Sequence, residues 1–187
     1  METIRAFIAI DTGEEIRSKL AVLQQEMKQT GADVRWSKPD TLHPTLAFPG
    51  NIPAETIKPL GMALDRQLHS EKRFKITARG LGLFGRRKRP GVVWTGIQPS
   101  PDLEDVRERV LMALMKSGIA LEETTFHPHL TLGRFKSSDN AAPLFELLEK
   151  QRDVVFGETL VDSAHLYASD LAPEGAVHTV LHTARLA

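Results

Sequence analysis

One order of elements occurs twice along this chain, and it limits the possible folds more than any other feature. Each copy runs from an apolar strand through a polar turn, an amphipathic helix, a glycine and a loop to a strand with a His-x-Thr sequence. Phe7 lies 36 residues before His43, and Val93 lies 36 residues before His129. A repeat of this kind is typical of a fold built from similar units. We therefore expect two similar lobes related by a pseudo-two-fold axis, with one His-x-Thr from each lobe near that axis.

The hydrophobic pattern predicts an α+β protein that is bilobal, with helices packed outside antiparallel sheets around a central cleft. Many connections look like hairpins, which favours this class over a doubly wound parallel sheet. The chain of 187 residues would form a single domain of two intertwined lobes, with duplicated units at about 5–50 and 91–136. Besides the two His-x-Thr strands, the pattern predicts strands at 6–10, 74–84, from 92, within 154–167 and at 176–186, and helices at about 13–29, 53–68, 101–117 and 141–151.

Local signals mark several of these boundaries. Thr12 and Glu15 form a capping-box pattern before the first helix, and Ser100 is the expected N-cap of the third. Pro53 stands where the second helix would begin. The stretches 85–91 and 173–175 are predicted turns, because both contain proline and glycine.

The His-x-Thr sequences predict two matching pairs of polar side chains. Side chains alternate across a strand, so His43 and Thr45 share one face, as do His129 and Thr131. By the same alternation, the neighbouring apolar residues would point into the packing; these are Pro44, Leu46, Phe48, Leu130 and Leu132. Two such strands facing each other would surround one small anion with two imidazoles and two hydroxyls.

This arrangement suits chemistry at a phosphodiester. Hydrolysis needs a base for the water and an acid for the departing oxygen, and histidine can do either near neutral pH. The hydroxyls of Thr45 and Thr131 could donate to the phosphate oxygens. Arg134 is the candidate for a charge-assisted contact. Strict alternation puts Arg134 on the face opposite His129, so we expect a bulge or a strand end between them.

Composition excludes several other classes of function. The 24 basic and 24 acidic residues balance, so the net charge of the protein does not favour binding to long nucleic acid. Any contact with nucleic acid should therefore be local. There is no cysteine for disulfides or thiolate chemistry. The sequence contains no Gly-x-Gly-x-x-Gly or Walker A pattern. With no signal peptide or apolar span in the sequence, a soluble cytoplasmic protein without membrane contact is expected.

Other side chains have open interpretations. His127 and His129 could form a metal pair with His43 as a third ligand, but no carboxylate is clearly spaced to complete such a site. His127 otherwise forms part of the cleft wall. The run that includes Arg86 and Arg87 either forms a solvated turn or makes electrostatic contacts with an RNA backbone. Trp36 and Phe48 belong to a set of aromatic residues that are core or stack on a terminal base. The remaining histidines are interpreted as structural or surface residues; these are His69, His165, His178 and His182.

Together these residues make the chain resemble the 2H phosphoesterase superfamily, and within it the RNA 2′,3′-cyclic phosphodiesterases, also called 2′-5′ RNA ligases. Beyond the two motifs, the matching segments span essentially the whole chain: 5–10, 34–36, 92–94 and 166–169. Three residues depart from the pattern of the family: Pro44, Pro49 and His178. His178 stands where an aromatic residue is more usual.

The resemblance implies hydrolysis of a terminal 2′,3′-cyclic phosphate to a 2′-phosphomonoester, with no metal and no cofactor. The implied partners are RNA ends or small 2′,3′-cyclic nucleotides. It also implies that His43 is the general acid toward the 3′ oxygen and His129 the base for water, with Thr45, Thr131 and Arg134 on the phosphate. Alternatives are 2′-5′ RNA ligation at the same site and a non-catalytic module that binds RNA ends. A cleft within one chain makes a monomer sufficient.

Overall fold

A computed structural model describes residues 2–121, 125–172 and 175–187. Its strands are β1 (Thr3–Ile10), β2 (Val34–Trp36), β3 (Thr45–Pro53), β4 (Phe74–Arg86), β5 (Arg89–Ile97), β6 (His129–Phe135), β7 (Val155–Val161), β8 (Ser163–Ala172) and β9 (Gly175–Arg185). Its helices are α1 (Glu14–Gln29), α2 (Ile57–Leu68), α3 (Pro101–Lys116) and α4 (Ala142–Lys150).

The strands form two antiparallel sheets. One has the order β3-β1-β8-β9 and the other the order β2-β6-β5-β4-β7. The first His-x-Thr strand, β3, is an edge of the four-stranded sheet, and the second, β6, lies inside the five-stranded sheet. The predicted α+β class with two antiparallel sheets is confirmed.

The helix of each repeated unit packs on the sheet that contains the other unit's His-x-Thr strand. Helix α1 contacts β7 of the five-stranded sheet, whereas α3 contacts β3 of the four-stranded sheet. The side-chain amide of Gln24 in α1 donates to the Leu132 carbonyl in β6 at 2.8 Å. Arg107 in α3 donates from Nε to the Leu46 carbonyl in β3 at 3.3 Å. One large cluster of buried apolar residues runs through both halves. Because each unit's helix packs on the other unit's sheet, the structure fits two intertwined lobes. Their origin in a duplication stays a prediction.

Several predicted boundaries need correction. The capping box is wrong, because Gly13 is the N-cap of α1 without a side-chain cap, and the Thr12 hydroxyl donates instead to the Leu42 carbonyl. Pro53 ends β3, and α2 begins at Ile57 after a short 3-10 turn. The Ser100 cap is confirmed, since its side chain accepts from the Leu103 amide at 3.2 Å.

Two predicted turns have different outcomes. The turn predicted at 85–91 is present but shorter, at Arg87 and Lys88, because β4 continues to Arg86 and β5 begins at Arg89. Of the predicted turn at 173–175, Pro173 and Glu174 lie outside the described residues. In the described part of the chain, no helix is both long enough and apolar enough to cross a membrane.

Candidate active site

A cleft of about 470 Å³ lies where residues from both sheets meet. Both His-x-Thr pairs line it, so the two motifs face one space although 86 residues separate them. The structure brings together the residues predicted for catalysis and phosphate binding, which are His43, Thr45, His129, Thr131 and Arg134. Trp36 and Phe48, predicted as possible base contacts, line the same cleft.

A bulge follows the threonine in each motif strand and brings a further side chain into the cleft. In β6 the partner residues step from Trp94–Thr131 to Val93–Gly133, so β6 has one extra residue. Arg134 therefore returns to the side of His129 and Thr131, as the sequence required.

The same bulge occurs in β3 and overturns one prediction. The partners step from Ala9–Thr45 to Ile8–Ala47, so Leu46 and Ala47 are both buried. Phe48 is 48% exposed and lines the cleft, and does not point into the packing as strict alternation predicted. Phe48 and Arg134 thus hold equivalent places, three residues after the threonine of their own motif.

His43 lies just before β3 in a segment fixed by neighbouring backbone contacts. The Ile10 amide donates to the Pro44 carbonyl at 3.2 Å, and buried Thr12 donates to the carbonyl that precedes His43. The His43 ring stacks on Tyr167 at 4.7 Å between centroids, and the His178 ring lies 5.6 Å away.

This setting disfavours a charge on His43. Burial, followed by the nearby His178, lowers the pKa of His43 from 6.5 to about 4, although the Asp11 carboxylate acts in the opposite direction. His43 is therefore neutral near pH 7 in the free protein. Its Nδ1 atom is buried and has no hydrogen-bond partner in the described part of the chain. A protonated ring would place a buried N–H there, which is a further reason for neutrality.

His129 has a defined tautomer. Its Nδ1 lies 2.6 Å from the backbone carbonyl of His127. Because a carbonyl can only accept, Nδ1 carries the proton and Nε2 of the neutral ring carries the lone pair. The Phe84 ring meets the His129 ring edge to face at 5.0 Å and restricts its rotation.

The cleft is strongly basic. Its described lining includes Arg5, Arg35, Lys38 and Arg134, and none of its described lining residues is Asp or Glu. Arg35 and Arg134 are direct partners across β2 and β6. The Arg5 guanidinium lies over the Phe48 ring at 5.1 Å from its centroid. A compact site with this charge favours an anion with more than one negative group.

Three candidate residues lie elsewhere. His127 lines a second cavity and not the main cleft. Arg86 is exposed and does not line the cleft. Arg87 is directed to α4, where its guanidinium lies 3.7 Å from Glu149 and 5.5 Å from the Phe145 ring centroid. The structure therefore does not bring these three side chains into the cleft, although the backbone carbonyl of His127 contacts His129.

Sequence reasoning missed other residues of the site. Tyr167 supports the His43 ring from below, and His178, interpreted as structural or surface, lines the cleft. Arg5 and Arg35 occur in segments that carry the family resemblance, but only the pairing of distant strands brings them to the motifs. In the described ranges 2–121, 125–172 and 175–187, no group of three His, Asp or Glu is arranged to hold a metal ion.

Two histidine–threonine pairs face each other in a basic cleft between antiparallel sheets, an arrangement that suits an enzyme that acts on phosphate esters. The chain belongs to the LigT-like phosphoesterase family, which matches residues 10–94 and 97–178.

Curated relatives and solved structures agree with this membership. The protein named RNA 2′,3′-cyclic phosphodiesterase of Methanothermobacter thermautotrophicus is 31% identical over 183 residues, covering 98% of this chain and 99% of that protein. The one from Aeropyrum pernix is 34% identical over 172 residues, covering 90% and 96%. The crystal structure of E. coli LigT complexed with 3′-AMP superposes with a TM-score of 0.80 at 29% identity, covering 99% of both chains. The crystal structure of TT0787 of Thermus thermophilus gives 0.82 at 27% identity, covering 98% of both.

Proposed function

We propose that this chain hydrolyses the 2′,3′-cyclic phosphate at the end of an RNA to a 2′-phosphomonoester, with two histidines and no metal. The observation that carries the proposal is the convergence of both His-x-Thr pairs on one cleft. The names of the curated relatives above support the choice of substrate, because they are RNA 2′,3′-cyclic phosphodiesterases.

His129 acts as the general base in this proposal. Its bond to the His127 carbonyl directs the protonated Nδ1 away from the reaction and leaves Nε2 to take a proton from water. The same carbonyl stabilises the imidazolium that forms, because it accepts from Nδ1 in both protonation states.

His43 acts as the general acid toward the 3′ oxygen. The pKa of about 4 in the free protein means that the proton must arrive with the substrate. A phosphate anion beside the ring favours the imidazolium and raises this pKa. His43 is thereby charged when a phosphate occupies the cleft, and neutral otherwise.

The threonines and Arg134 hold the phosphate between the two imidazoles. Thr45 and Thr131 come from opposite sheets, so their hydroxyls can donate to different non-bridging oxygens. Arg134 adds a guanidinium fork from the bulge of β6. As charge grows on these oxygens, donors that are already in position stabilise it without reorganisation.

The remainder of the cleft suits an RNA end. Arg5, Arg35 and Lys38 provide positive charge beyond that needed for one phosphate, and can contact the backbone that leads to the terminal residue. Trp36 and Phe48 offer faces on which a base can stack. One chain supplies all of these groups, so the proposed reaction needs no second subunit.

The test is an assay of purified protein on an oligoribonucleotide with a 2′,3′-cyclic phosphate end, in the presence of EDTA. We expect the product to carry a 2′-phosphate. His43→Ala and His129→Ala should each lower kcat by roughly 10²–10⁴-fold. His69→Ala is the matched control, because His69 is exposed at the end of α2 and lies outside the cleft.

Two results would reject the proposal. One is the absence of a 2′-phosphate product from the unaltered protein. The other is undiminished turnover by either cleft variant. A product that ends in a 3′-phosphate would show that the other ester bond breaks, and would reject the assigned roles of the histidines.

A further inference from the structure

A third histidine, His178, lines the cleft beside His43. It comes from β9, an edge strand of the four-stranded sheet, and pairs with Ser169 of β8. The centroid of its ring lies 5.6 Å from that of His43, and the two ring planes are tilted by 43°. His43 and His178 are called the imidazole pair here. Two basic rings at this distance compete for protons unless a negative charge lies close to both.

The immediate surroundings of the imidazole pair are aromatic. The Phe7 ring of β1 meets His178 at 4.7 Å and lies 6.4 Å from His43. The Tyr167 ring of β8 stacks on His43 at 4.7 Å and lies 6.2 Å from His178. Phe7 does not titrate, and burial raises the pKa of Tyr167 to about 12, so neither carries a negative charge near pH 7. This wall therefore does not neutralise a proton on either histidine.

Both rings of the imidazole pair have a buried nitrogen without a partner. In each ring this atom is Nδ1, and it makes no hydrogen bond in the part of the chain that the structure describes. Since both side chains line the cleft, Nε2 is the ring nitrogen left to meet a ligand. A neutral ring with its proton on Nε2 leaves only a lone pair at Nδ1, whereas an imidazolium places a buried N–H there without an acceptor. A charge is therefore costly on either ring, and more so on both together.

The charged groups around the imidazole pair are mostly positive. Asp11, just after β1, favours a charge on His43, but its carboxylate is already paired with Arg17 of α1 at 2.8 Å. Arg17 and His165 of β8 both disfavour that charge. None of the described residues that line the cleft is Asp or Glu. A phosphate in the cleft is therefore the anion that can compensate a proton on the pair. The described lining adds four further cations: Arg5, Arg35, Lys38 and Arg134.

We propose that His178 is a positioning residue that limits the imidazole pair to one proton and so controls when His43 can act as an acid. The inference rests on the proposed function, in which His43 protonates the leaving 3′ oxygen. A proton on His178 repels a charge on His43 across 5.6 Å. For an effective dielectric constant between about 30 and the value of water, this repulsion lowers the proton affinity of His43 roughly 3- to 30-fold.

The order in which the two rings take up protons supports this role. Burial alone lowers the pKa of His178, whereas burial and then the charge of His178 lower the pKa of His43. A neighbour's charge acts only when that neighbour is already protonated, so His178 takes the first proton as the pH falls. Acid therefore charges His178 before His43, which serves the leaving oxygen. The rate should then fall on the acid side by more than protonation of the base His129 alone requires.

Substitution of His178 tests this control through the pH dependence of turnover. His178→Phe and His178→Gln both remove the titrating ring, and one keeps an aromatic shape while the other keeps a polar side chain. At pH 8 His178 is neutral, so kcat on a cyclic-phosphate end should not change. At pH 5.5 the kcat of both variants should exceed that of the unaltered protein roughly 2- to 10-fold, because the competing proton is gone.

The matched control is His182→Gln, which also removes a histidine from β9. His182 is bonded to Asp65 of α2 at 2.9 Å and does not line the cleft. The kcat of this variant should equal that of the unaltered protein at both pH values. Any change that His182→Gln shared with the two His178 variants would reflect the strand and not the imidazole pair, and would overturn the inference.

NMR titration of the His43 ring provides a measurement that does not need turnover. The signal of this ring is identified by its loss in His43→Leu. In both His178 variants the proton affinity of His43 should be roughly 3- to 30-fold higher, so the midpoint of its titration should move to higher pH. In His182→Gln the midpoint should stay where it is in the unaltered protein.

The outcomes separate this inference from the proposed function. An unchanged His43 midpoint in both His178 variants would overturn the inference, because His178 would then exert no charge on that ring. A kcat that changes equally at both pH values, or a gain confined to one variant, would overturn it as well, since shape or polarity would then be the cause. A protein that shows the shifted midpoint but hydrolyses no cyclic phosphate would refute the proposed function and confirm that the pair holds one proton.

Discussion

Replacing His43 with leucine should make the stability of the protein less sensitive to acid. Burial and the nearby His178 lower the pKa of His43 in the folded protein to about 4, against an ordinary 6.5. The unfolded chain therefore binds this proton first as the pH falls. The stability that comes from neutral His43 is fully present above pH 6.5 and is lost as the pH falls toward 4. His43→Leu has no proton to bind in either state and should not show this loss.

The size of the effect follows from the two pKa values. A histidine with pKa values of 6.5 unfolded and about 4 folded loses about 2 kcal/mol of unfolding free energy between pH 7 and pH 5. The ring remains partly open to the cleft, so solvent screening reduces the expected loss to about 1–2 kcal/mol. Burial also lowers the pKa values of His165 and His178, which adds a loss of the same sign. Only the difference between the two proteins isolates His43.

Urea unfolding at pH 7 and at pH 5 measures this difference. The unaltered protein should lose about 1–2 kcal/mol more than His43→Leu over the interval. Phe48→Leu is the control, because it changes the same cleft without removing a titratable group. Equal losses in His43→Leu and the unaltered protein would refute the burial of an uncharged His43. A pKa near 6.5 for this ring by NMR titration would refute it as well.

Three further variants test how the cleft is supported. Thr12→Val should cost about 1–3 kcal/mol of unfolding free energy, since it removes a buried bond to the carbonyl before the first motif histidine, and Thr12→Ser should restore most of it by urea unfolding. Gly13→Ala should destabilise the protein by more than about 1 kcal/mol, because φ is 75° and a Cβ would overlap the Thr159 side chain; Gly31→Ala, with φ of 74° and open space, should cost less. Arg134→Lys keeps the charge but loses the fork, so kcat/KM on a cyclic-phosphate end should fall roughly 10-fold with unchanged urea stability.

The sequence was sufficient for those parts of the site that depend on local periodicity. Alternation along a strand puts His43 with Thr45, and His129 with Thr131, wherever the strands lie in the fold. The same rule showed that Arg134 needed a bulge, and β6 has one. These inferences use neighbours two to five residues apart, for which backbone geometry is enough.

Other parts of the site depend on the pairing of distant strands, which no local pattern gives. Tyr167 and His178 reach His43 because β8 pairs with β1 and β9 with β8. Phe48 was assigned to the packing because nothing in the sequence marks the bulge in β3. Thr12 was predicted to cap a helix, but its hydroxyl donates to the buried carbonyl of Leu42, 30 residues away in the sequence. In each case a tertiary contact overrode a local preference.

The two bulges also connect the halves of the cleft. An extra residue leaves a strand with backbone groups that its neighbour does not pair, and such groups need other partners when buried. The carbonyl of Leu46, at the bulge of β3, accepts from Arg107. The carbonyl of Leu132, at the bulge of β6, accepts from Gln24 and from the backbone amide of Ser37. Arg107 and Gln24 each lie on the helix of the opposite unit, and Ser37 also belongs to the first unit. The strand that carries each motif is therefore held by the other half of the chain, so the halves cannot separate without leaving a bulge carbonyl unpaired. These contacts between the two halves give a physical reason for the two histidines to keep a fixed separation across the cleft.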